Sequence, residues 1–322
     1  MRLAVVGAGA VGRAVVDLAA SYDHEVVAVA DSSSAAVAPS GETLDPDSVL
    51  GRKEEAGTVG DDAPEAALDA DYDVLVEATP TTLGDAEPGY GHVETALDRD
   101  RHVVLANKGP VAERYDDLRA AERESEGRVL FEATVGGAIP AVTTIDDLGP
   151  SHVTAVRGVL NGTANFVLTR MAAEGLDYEH VLAEAQDLGV AEADPSFDVE
   201  GTDAALKCVI LANVLYGGGY SLADADVEGI DGLPSEALSL AGEDGMTVRL
   251  IGSVEDGDIR VGPRLIPEHG TLAVAGTRNI VQIETDHAGR LNISGRGAGG
   301  PETATAVLAD VGRLSRPTGR NS

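Results

Sequence analysis

Lysine is nearly absent from this chain. Of its 23 basic residues only Lys53, Lys108 and Lys207 are lysines, and the rest are arginines. A chain that has discarded lysine almost everywhere is expected to keep these three for a reason, since an ammonium is a compact charge whose proton can be moved, which a guanidinium is not. Lys207 follows Asp203 by four residues, so the two share a helix face. Its neighbours Leu206, Cys208 and Val209 are apolar, which argues against an ordinary surface ion pair. Just upstream, residues 189–203 carry Glu192, Asp194, Asp198, Glu200 and Asp203 with one proline and two glycines.

A second pattern lies at the start. The apolar run 3–6 enters Gly7-Ala8-Gly9-Ala10-Val11-Gly12 and then an apolar-periodic helix. In a strand–GxGxxG–helix unit the first glycine makes the tight turn. The second lets the backbone approach a pyrophosphate, and the third lets helix and strand pack closely. The helix start offers unpaired N–H groups and a positive dipole end to the phosphates. A strand over 25–30 ends at Asp31, 19 residues after Gly12, where an acid accepts hydrogen bonds from ribose hydroxyls. Asp31 favours NAD, because a carboxylate repels a 2′-phosphate. Ser32 to Ser34 follow it, and Arg52 and Lys53 can fold back toward the same pocket, which keeps NADP open.

These residues need a frame. Strands are predicted over 3–6, 25–30, 74–78, 102–106 and 129–133, with helices over 91–98 and 111–124 between them. Alternating β and α elements imply a parallel, doubly wound sheet of Rossmann type. Ligands bind beyond the carboxyl ends of such strands, here Thr79, Thr81, Asn107, Lys108, Glu132 and Thr134. The alternation stops near Leu148. Beyond it come a strand over 152–160, a polar cluster at 161–165 suited to an anion at the helix start it opens, and helices over 166–173, 178–188 and 204–215. Strands follow over 248–254, 259–266, 280–284 and 291–294. A glycine-rich turn at 295–300 then opens a helix over 303–314. The expected fold class is α/β: a dinucleotide-binding domain over 1–140, to which a helix over 300–316 returns, and an α+β substrate-binding and dimerisation domain with an open sheet over 141–299. Residues 316–322 read as a frayed tail.

Composition excludes several classes. With 55 acids the formal net charge is −32, so a basic nucleic-acid-binding face is not expected. The acids are spread along the chain, which points to adaptation to high salt. Their mutual repulsion is screened as the Debye length falls from roughly 10 Å at 0.1 M to roughly 3 Å at 1 M. The single cysteine, Cys208, leaves no intrachain disulfide and no thiolate cluster. No apolar run of about 18 residues suggests a membrane span, and Met1 leads into a strand rather than a secretory signal. A cytoplasmic enzyme is the expectation. The seven histidines (His24, His92, His102, His152, His180, His269 and His287) show no metal-ligand spacing and read as surface or packing residues.

Taken together, the motifs resemble the homoserine dehydrogenase family over nearly the whole chain. The matches are residues 7–12, Ala106-Asn107-Lys108-Gly109-Pro110, the stretch 131–140, Leu160-Asn161-Gly162-Thr163-Ala164-Asn165, the stretch 185–207 with its Asp-Pro, Gly-x-Asp and final Lys, and Gly297-Ala298-Gly299 with Thr303-Ala304. The resemblance implies NAD(P)-dependent interconversion of homoserine and aspartate 4-semialdehyde, within threonine and methionine biosynthesis. It makes Lys108 and Lys207 the catalytic lysines. The same resemblance implies that Glu192, Asp198 and Asp203 shape the pocket and hold the substrate amino group, with Gly162 and Thr163 near the substrate. The expected cofactor residues are Gly7, Gly9, Ala10, Val11, Gly12, Asp31, Arg52, Lys53, Thr79, Asn107, Lys108 and Gly299. Glu132, Val135, Gly137 and Ile139 match a monovalent cation site for sodium or potassium.

The resemblance also implies a homodimer through the second domain's sheet. Val190 stands where family members often carry an aromatic. The chain leaves no room for the C-terminal threonine-binding domain of many members, so feedback inhibition by that route is not expected. Lys108, at a strand end, is favoured for proton transfer and Lys207 for polarising the oxygen, with the reverse assignment open. Another amino-acid dehydrogenase of similar architecture and a non-catalytic dinucleotide sensor are the rival readings. Aspartate-semialdehyde dehydrogenase would need a cysteine at a strand-to-helix turn, whereas Cys208 falls within a predicted helix.

Overall fold

The computed structural model describes residues 1–315 of the 322; the predicted tail over 316–322 lies outside the described residues. The chain forms two compact units. One comprises Met1–Ala138 and the chain from Gly299 onward, and the other is Ile139–Ala298.

The first unit is built on a six-stranded sheet of β1 (Arg2–Val6), β2 (Glu25–Ala30), β3 (Ala35–Val37), β4 (Val74–Glu77), β5 (His102–Leu105) and β6 (Val129–Leu130), in the order β3-β2-β1-β4-β5-β6. All neighbours are parallel except β3, which runs antiparallel to β2. The central strands are buried on both faces, as their continuous valine-rich runs require. The order reverses between β1 and β4, the switch point where a doubly wound sheet takes its ligand. The helix Gly300–Leu314 packs on the helix Ala10–Leu18, and Val307, Leu308 and Val311 join Val15, Val16 and Ala19 in one core.

The second unit holds β7 (Val153–Val159), β8 (Ala225–Val227), β9 (Met246–Glu255), β10 (Asp258–Pro267), β11 (Arg278–Thr285) and β12 (Gly289–Arg296), in the order β12-β11-β7-β9-β10-β8. Its pairings are antiparallel apart from β8 with β10. Helices Gly162–Glu174 and Thr202–Tyr216 pack on this sheet. The second of these is buried nearly all round, at 12 of its 15 positions, so a charged side chain on it has no short route to water. A Cβ on Gly252 of β9 would come within 2.5 Å of the Cys208 sulfur, which is how closely helix and sheet approach.

Local structure departs from expectation in four places. The helix predicted over 111–124 is two, Gly109–Glu113 and Tyr115–Glu124, broken at Arg114. The break accompanies Tyr115 packing edge-on against Phe131, with the Arg114 guanidinium over Tyr90. The strand predicted over 129–133 pairs only at Val129–Leu130, because it lies at the sheet edge and the Glu132 N–H is taken by Asp310. The helix predicted from 166 begins at Gly162, since the Asn161 side chain caps the Ala164 N–H. Finally, Pro46–Ala56 is a helix, capped by Asp45 on Ser48 and closed by left-handed Gly57. Those start and stop signals are present in the sequence.

Candidate active site

In the second unit, Lys207 and Asp203 lie on successive turns of Thr202–Tyr216, 6% and 7% exposed. The Lys207 ammonium donates to Asp203 Oδ2 at 2.6 Å and to the Leu160 carbonyl at 2.6 Å. Leu160 follows β7, so its carbonyl points off the sheet toward the helix. Asn279 of β11 also donates to that carbonyl, at 2.9 Å. Asn161 is the hub. Its side-chain oxygen caps Gly162–Glu174, and its amide donates to Asp203 Oδ2 at 2.9 Å and to Asp198 Oδ1 at 2.6 Å. Thus Asp198, Asp203 and Lys207 converge on one asparagine. Thr163 donates to the Val190 carbonyl at 3.2 Å, tying the acidic loop to the same helix start.

Glu192 does not join this cluster through its carboxylate: it lies exposed, and it is its carbonyl that accepts a hydrogen bond, from Gln186. Cys208, beside Lys207, is buried, and burial pushes its thiol up to about 12. That leaves it no thiolate with which to act as a nucleophile.

In the first unit, Gly7 has φ +105, and a Cβ there would lie 2.4 Å from the Ala78 carbonyl group. A Cβ on Gly12 would overlap the Gly7 carbonyl oxygen at 1.7 Å. These two positions accept only glycine. A Cβ on Gly9 would meet nothing within 4 Å, so the turn leaves open space beside the start of Ala10–Leu18. That helix has no side-chain cap and no acid in its first turn. Free amides, open space and a positive dipole end fit a pyrophosphate. Ala10 and Val11 stand in that first turn. Gly299 caps the helix Gly300–Leu314 of the same unit.

Asp31, at the end of β2, is saturated. Its Oδ1 accepts from Ser33 and Ser34, through both N–H and hydroxyl in each case, and its Oδ2 accepts from Lys53 at 2.7 Å. Burial pushes the carboxyl up, but Lys53 and the two serines outweigh it and hold it well below the usual carboxylate range. Arg52 is placed elsewhere. Its guanidinium pairs with Asp61 and donates to the Gly60 carbonyl. Neighbours on one helix point about 100° apart, so only one of the two cations meets Asp31.

Thr79 and Asn107 lie beyond β4 and β5, where Asn107 donates to the Thr79 hydroxyl at 3.1 Å and to the Pro80 carbonyl. Lys108 follows as the cap of Gly109–Glu113, its amide N–H on the Thr81 hydroxyl. Glu132, Val135 and Gly137 are buried, as is Ile139, which opens the second unit. Burial pushes Asp310 up to about 6, with the Glu132 charge adding to the shift.

Sequence reasoning missed Asn279, Glu77 and the central part of Asn161. Asn161 carried a signal, as a cap residue opening a polar cluster. Asn279 and Glu77 lie inside strands and carried none.

Comparison with known proteins bears on these arrangements. The family model described as "Homoserine dehydrogenase" matches residues 140–311, and "Homoserine dehydrogenase, NAD binding domain" matches residues 7–132. The chain is 39% identical over 331 residues to the homoserine dehydrogenase of Methanocaldococcus jannaschii, covering 97% of each. It is 40% identical over 249 residues to that of Bacillus subtilis, covering 76% of this chain but 57% of the longer relative. Among solved structures, one from Archaeoglobus fulgidus superposes with a TM-score of 0.91 at 41% identity, covering 98% of this chain and 100% of that one. A hyperthermophilic archaeal homoserine dehydrogenase in complex with NADPH gives 0.84 at 27% identity, covering 98% of each.

Proposed function

The chain belongs to the homoserine dehydrogenase family, and on that premise we propose how its own side chains carry the NAD(P)-dependent oxidation of homoserine and its reversal. The observation that carries the reading is the buried Lys207, held by Asp203 and the Leu160 carbonyl. An ammonium has three N–H donors. Two are spent on those partners, which aims the third at a substrate oxygen. Lys207 then stabilises the developing alkoxide at C4, or polarises the aldehyde in reverse. Asp203 and Asn161 fix the ammonium so that it need not reorganise, which is what gives such a donor its effect.

Lys108, at the β5 end, takes the hydroxyl proton as the hydride leaves. Asp198, with Glu192 at the rim, receives the amino group of homoserine, and Gly162 and Thr163 form the helix start beside it. The nicotinamide, when bound, supplies the hydride acceptor. Gly7, Gly9, Ala10, Val11 and Gly12 hold its pyrophosphate, with Thr79, Asn107 and Gly299 lining the same site. Met1–Ala138 with the returning helix is on this reading the cofactor unit, and Ile139–Ala298 is the substrate and dimerisation unit.

Both NAD and NADP are accepted on this reading. Lys53 neutralises the carboxylate that would otherwise repel a 2′-phosphate, and the Ser33 and Ser34 donors stay engaged by Asp31. Arg52, engaged by Asp61, contributes little. A monovalent cation, sodium or potassium, is held by Glu132 with the carbonyls of Val135, Gly137 and Ile139. The buried Glu132 carboxylate supports this reading, since its charge helps to raise Asp310 even with Arg313 paired to Asp310.

The test is initial rates with homoserine in molar potassium chloride, with NAD and NADP in parallel and with malate and aspartate as controls. Homoserine-specific turnover that collapses in Lys207→Met, with dinucleotide binding intact, is the expected result. Loss of dinucleotide affinity in that variant would overturn the role given to Lys207.

A further inference from the structure

The first unit contains a wholly buried carboxylate with no place in the scheme above. Glu77, the last residue of β4, is 0% exposed at the strand next to the switch point, in register with Val6 just before the glycine turn. Its Oε1 accepts both the N–H and the hydroxyl of Thr79. The Thr79 hydroxyl in turn accepts from the Asn107 amide, and the Asn107 oxygen accepts the Gly109 N–H at 2.9 Å. The Glu77 backbone carbonyl takes the N–H groups of Ala106 and Asn107. On the other side, His92 Nδ1 of the helix Gly89–Leu97 stands 3.5 Å from Oε1. The second carboxylate oxygen is buried without a hydrogen-bond partner in the protein. A Cβ on Gly89 would come within 2.5 Å of the Asn107 amide, so the start of that helix closes directly over the network.

We propose that Glu77 is a positioning residue for the reaction, acting through Thr79 and Asn107 to fix the turn that presents Lys108. A carboxylate buried at this depth is costly unless its acceptors are used. Here Oε1 is spent on Thr79, in the turn beyond β4, and the Thr79 hydroxyl takes the Asn107 amide at the start of the turn beyond β5 that carries Lys108. A packing role alone would be served by an apolar residue, as at the neighbouring Leu75 and Val76. The inference rests on the reading of Lys108 as the proton-transfer group.

The test uses the full chain with Glu77→Ala, Thr79→Val, their double variant and Lys108→Met, reading kcat, the homoserine KM, the dissociation constant of reduced cofactor and the melting temperature. Either relay variant lowers kcat about tenfold, the size of one net hydrogen bond, with homoserine KM unchanged. The double variant costs no more than the larger single one, because both break one chain. Glu77→Gln, which keeps an acceptor for Thr79, restores at least part of the rate. Additive losses, or kcat losses that track melting temperature across the set, overturn the relay. Should Glu77→Ala fail to fold, Thr79→Val and Glu77→Gln still decide it. A Lys108→Met chain with normal turnover would instead overturn the role of Lys108, a different result from normal turnover in the relay variants alone.

A separate observation concerns the histidines, which showed no ligand spacing in the sequence. Tertiary pairing brings His152, before β7, to Asp286 and His287, in the β11–β12 turn, with a ligand atom from each within 4.8 Å of the others. The Asp286 N–H donates to the His152 carbonyl at 3.1 Å, which ties the turn to the strand, and the two imidazole rings lie 5.9 Å apart. We infer that this trio is a surface site for a first-row divalent ion such as zinc. Bonds of about 2.0–2.2 Å need only small rotations of these exposed side chains. Two imidazoles select such ions over magnesium and calcium, which prefer oxygen ligands. Zinc titration followed calorimetrically, with magnesium in excess to occupy the acidic surface, should show about one equivalent bound, lost in His152→Ala and in His287→Ala. No binding by the parent chain, or equal binding by the variants, overturns the site.

Discussion

The buried pair Asp203–Lys207 allows stability and catalysis to be separated. Lys207→Met leaves the Asp203 carboxylate buried without its ammonium, and Asp203→Asn leaves the Lys207 ammonium buried without a counter-charge. Removing one member of a buried pair costs about 3–5 kcal/mol. For a unit of this size that lowers the melting temperature by roughly 6–20 °C, at about 2–4 °C per kcal/mol.

The double variant Asp203→Asn/Lys207→Met behaves differently. No charge is stranded, Asn161 keeps an acceptor at position 203, and the Leu160 carbonyl keeps its bond from Asn279. Most of the lost stability returns. The rate does not: the donor proposed for the substrate oxygen is gone, and kcat remains roughly 10²–10³-fold down. Scanning calorimetry and initial rates at one fixed salt concentration measure both. A double variant that regains its rate along with its stability would refute the catalytic role of Lys207. Single variants costing under about 1 kcal/mol would refute the argument from burial.

Other outcomes follow from the same geometry. Lys53→Met uncovers the Asp31 charge, so kcat/KM with NADP falls about tenfold or more while that with NAD changes little, and Arg52→Met leaves the ratio unchanged; parallel rates with the two cofactors decide this. Asp310 is held near 6 when folded, against an ordinary 3.8, so the folded state binds the proton more tightly and this group's contribution to stability falls as pH rises through that window. The difference of about 2 pH units corresponds to about 3 kcal/mol. Denaturant titrations should therefore show Asp310→Asn gaining about that much on the parent between pH 4 and pH 7, and a constant difference would refute the shift. A chain of net charge −32 should also melt higher as potassium chloride rises from 0.1 to about 2 M; calorimetry showing no rise would remove the high-salt reading.

Much of this molecule is written in short stretches of chain. The strand–GxGxxG–helix at 7–12 is a local instruction, because a Cβ at Gly7 or Gly12 would strike backbone a few bonds or one neighbouring strand away. Period-two and period-3.6 patterns likewise gave the alternation of the first unit and most strands of the second, and the i,i+4 spacing put Asp203 beside Lys207 before any fold was known. What the tertiary structure decided are the pairings between distant residues. Asn161 holds Asp198 and Asp203 from 37 and 42 residues away, and Asn279 reaches Leu160 across 119. Asp310 takes the Glu132 N–H across 178 and ends a strand that propensity alone would have continued. Lys53 rather than Arg52 meets Asp31 because the unforeseen helix Pro46–Ala56 sets which side chain faces it. Glu77 is the plainest case. Within its strand it is one acid after a buried apolar run, and only the sheet order, which lays β4 between β1 and β5, links that carboxylate through Thr79 to Asn107 of the next turn.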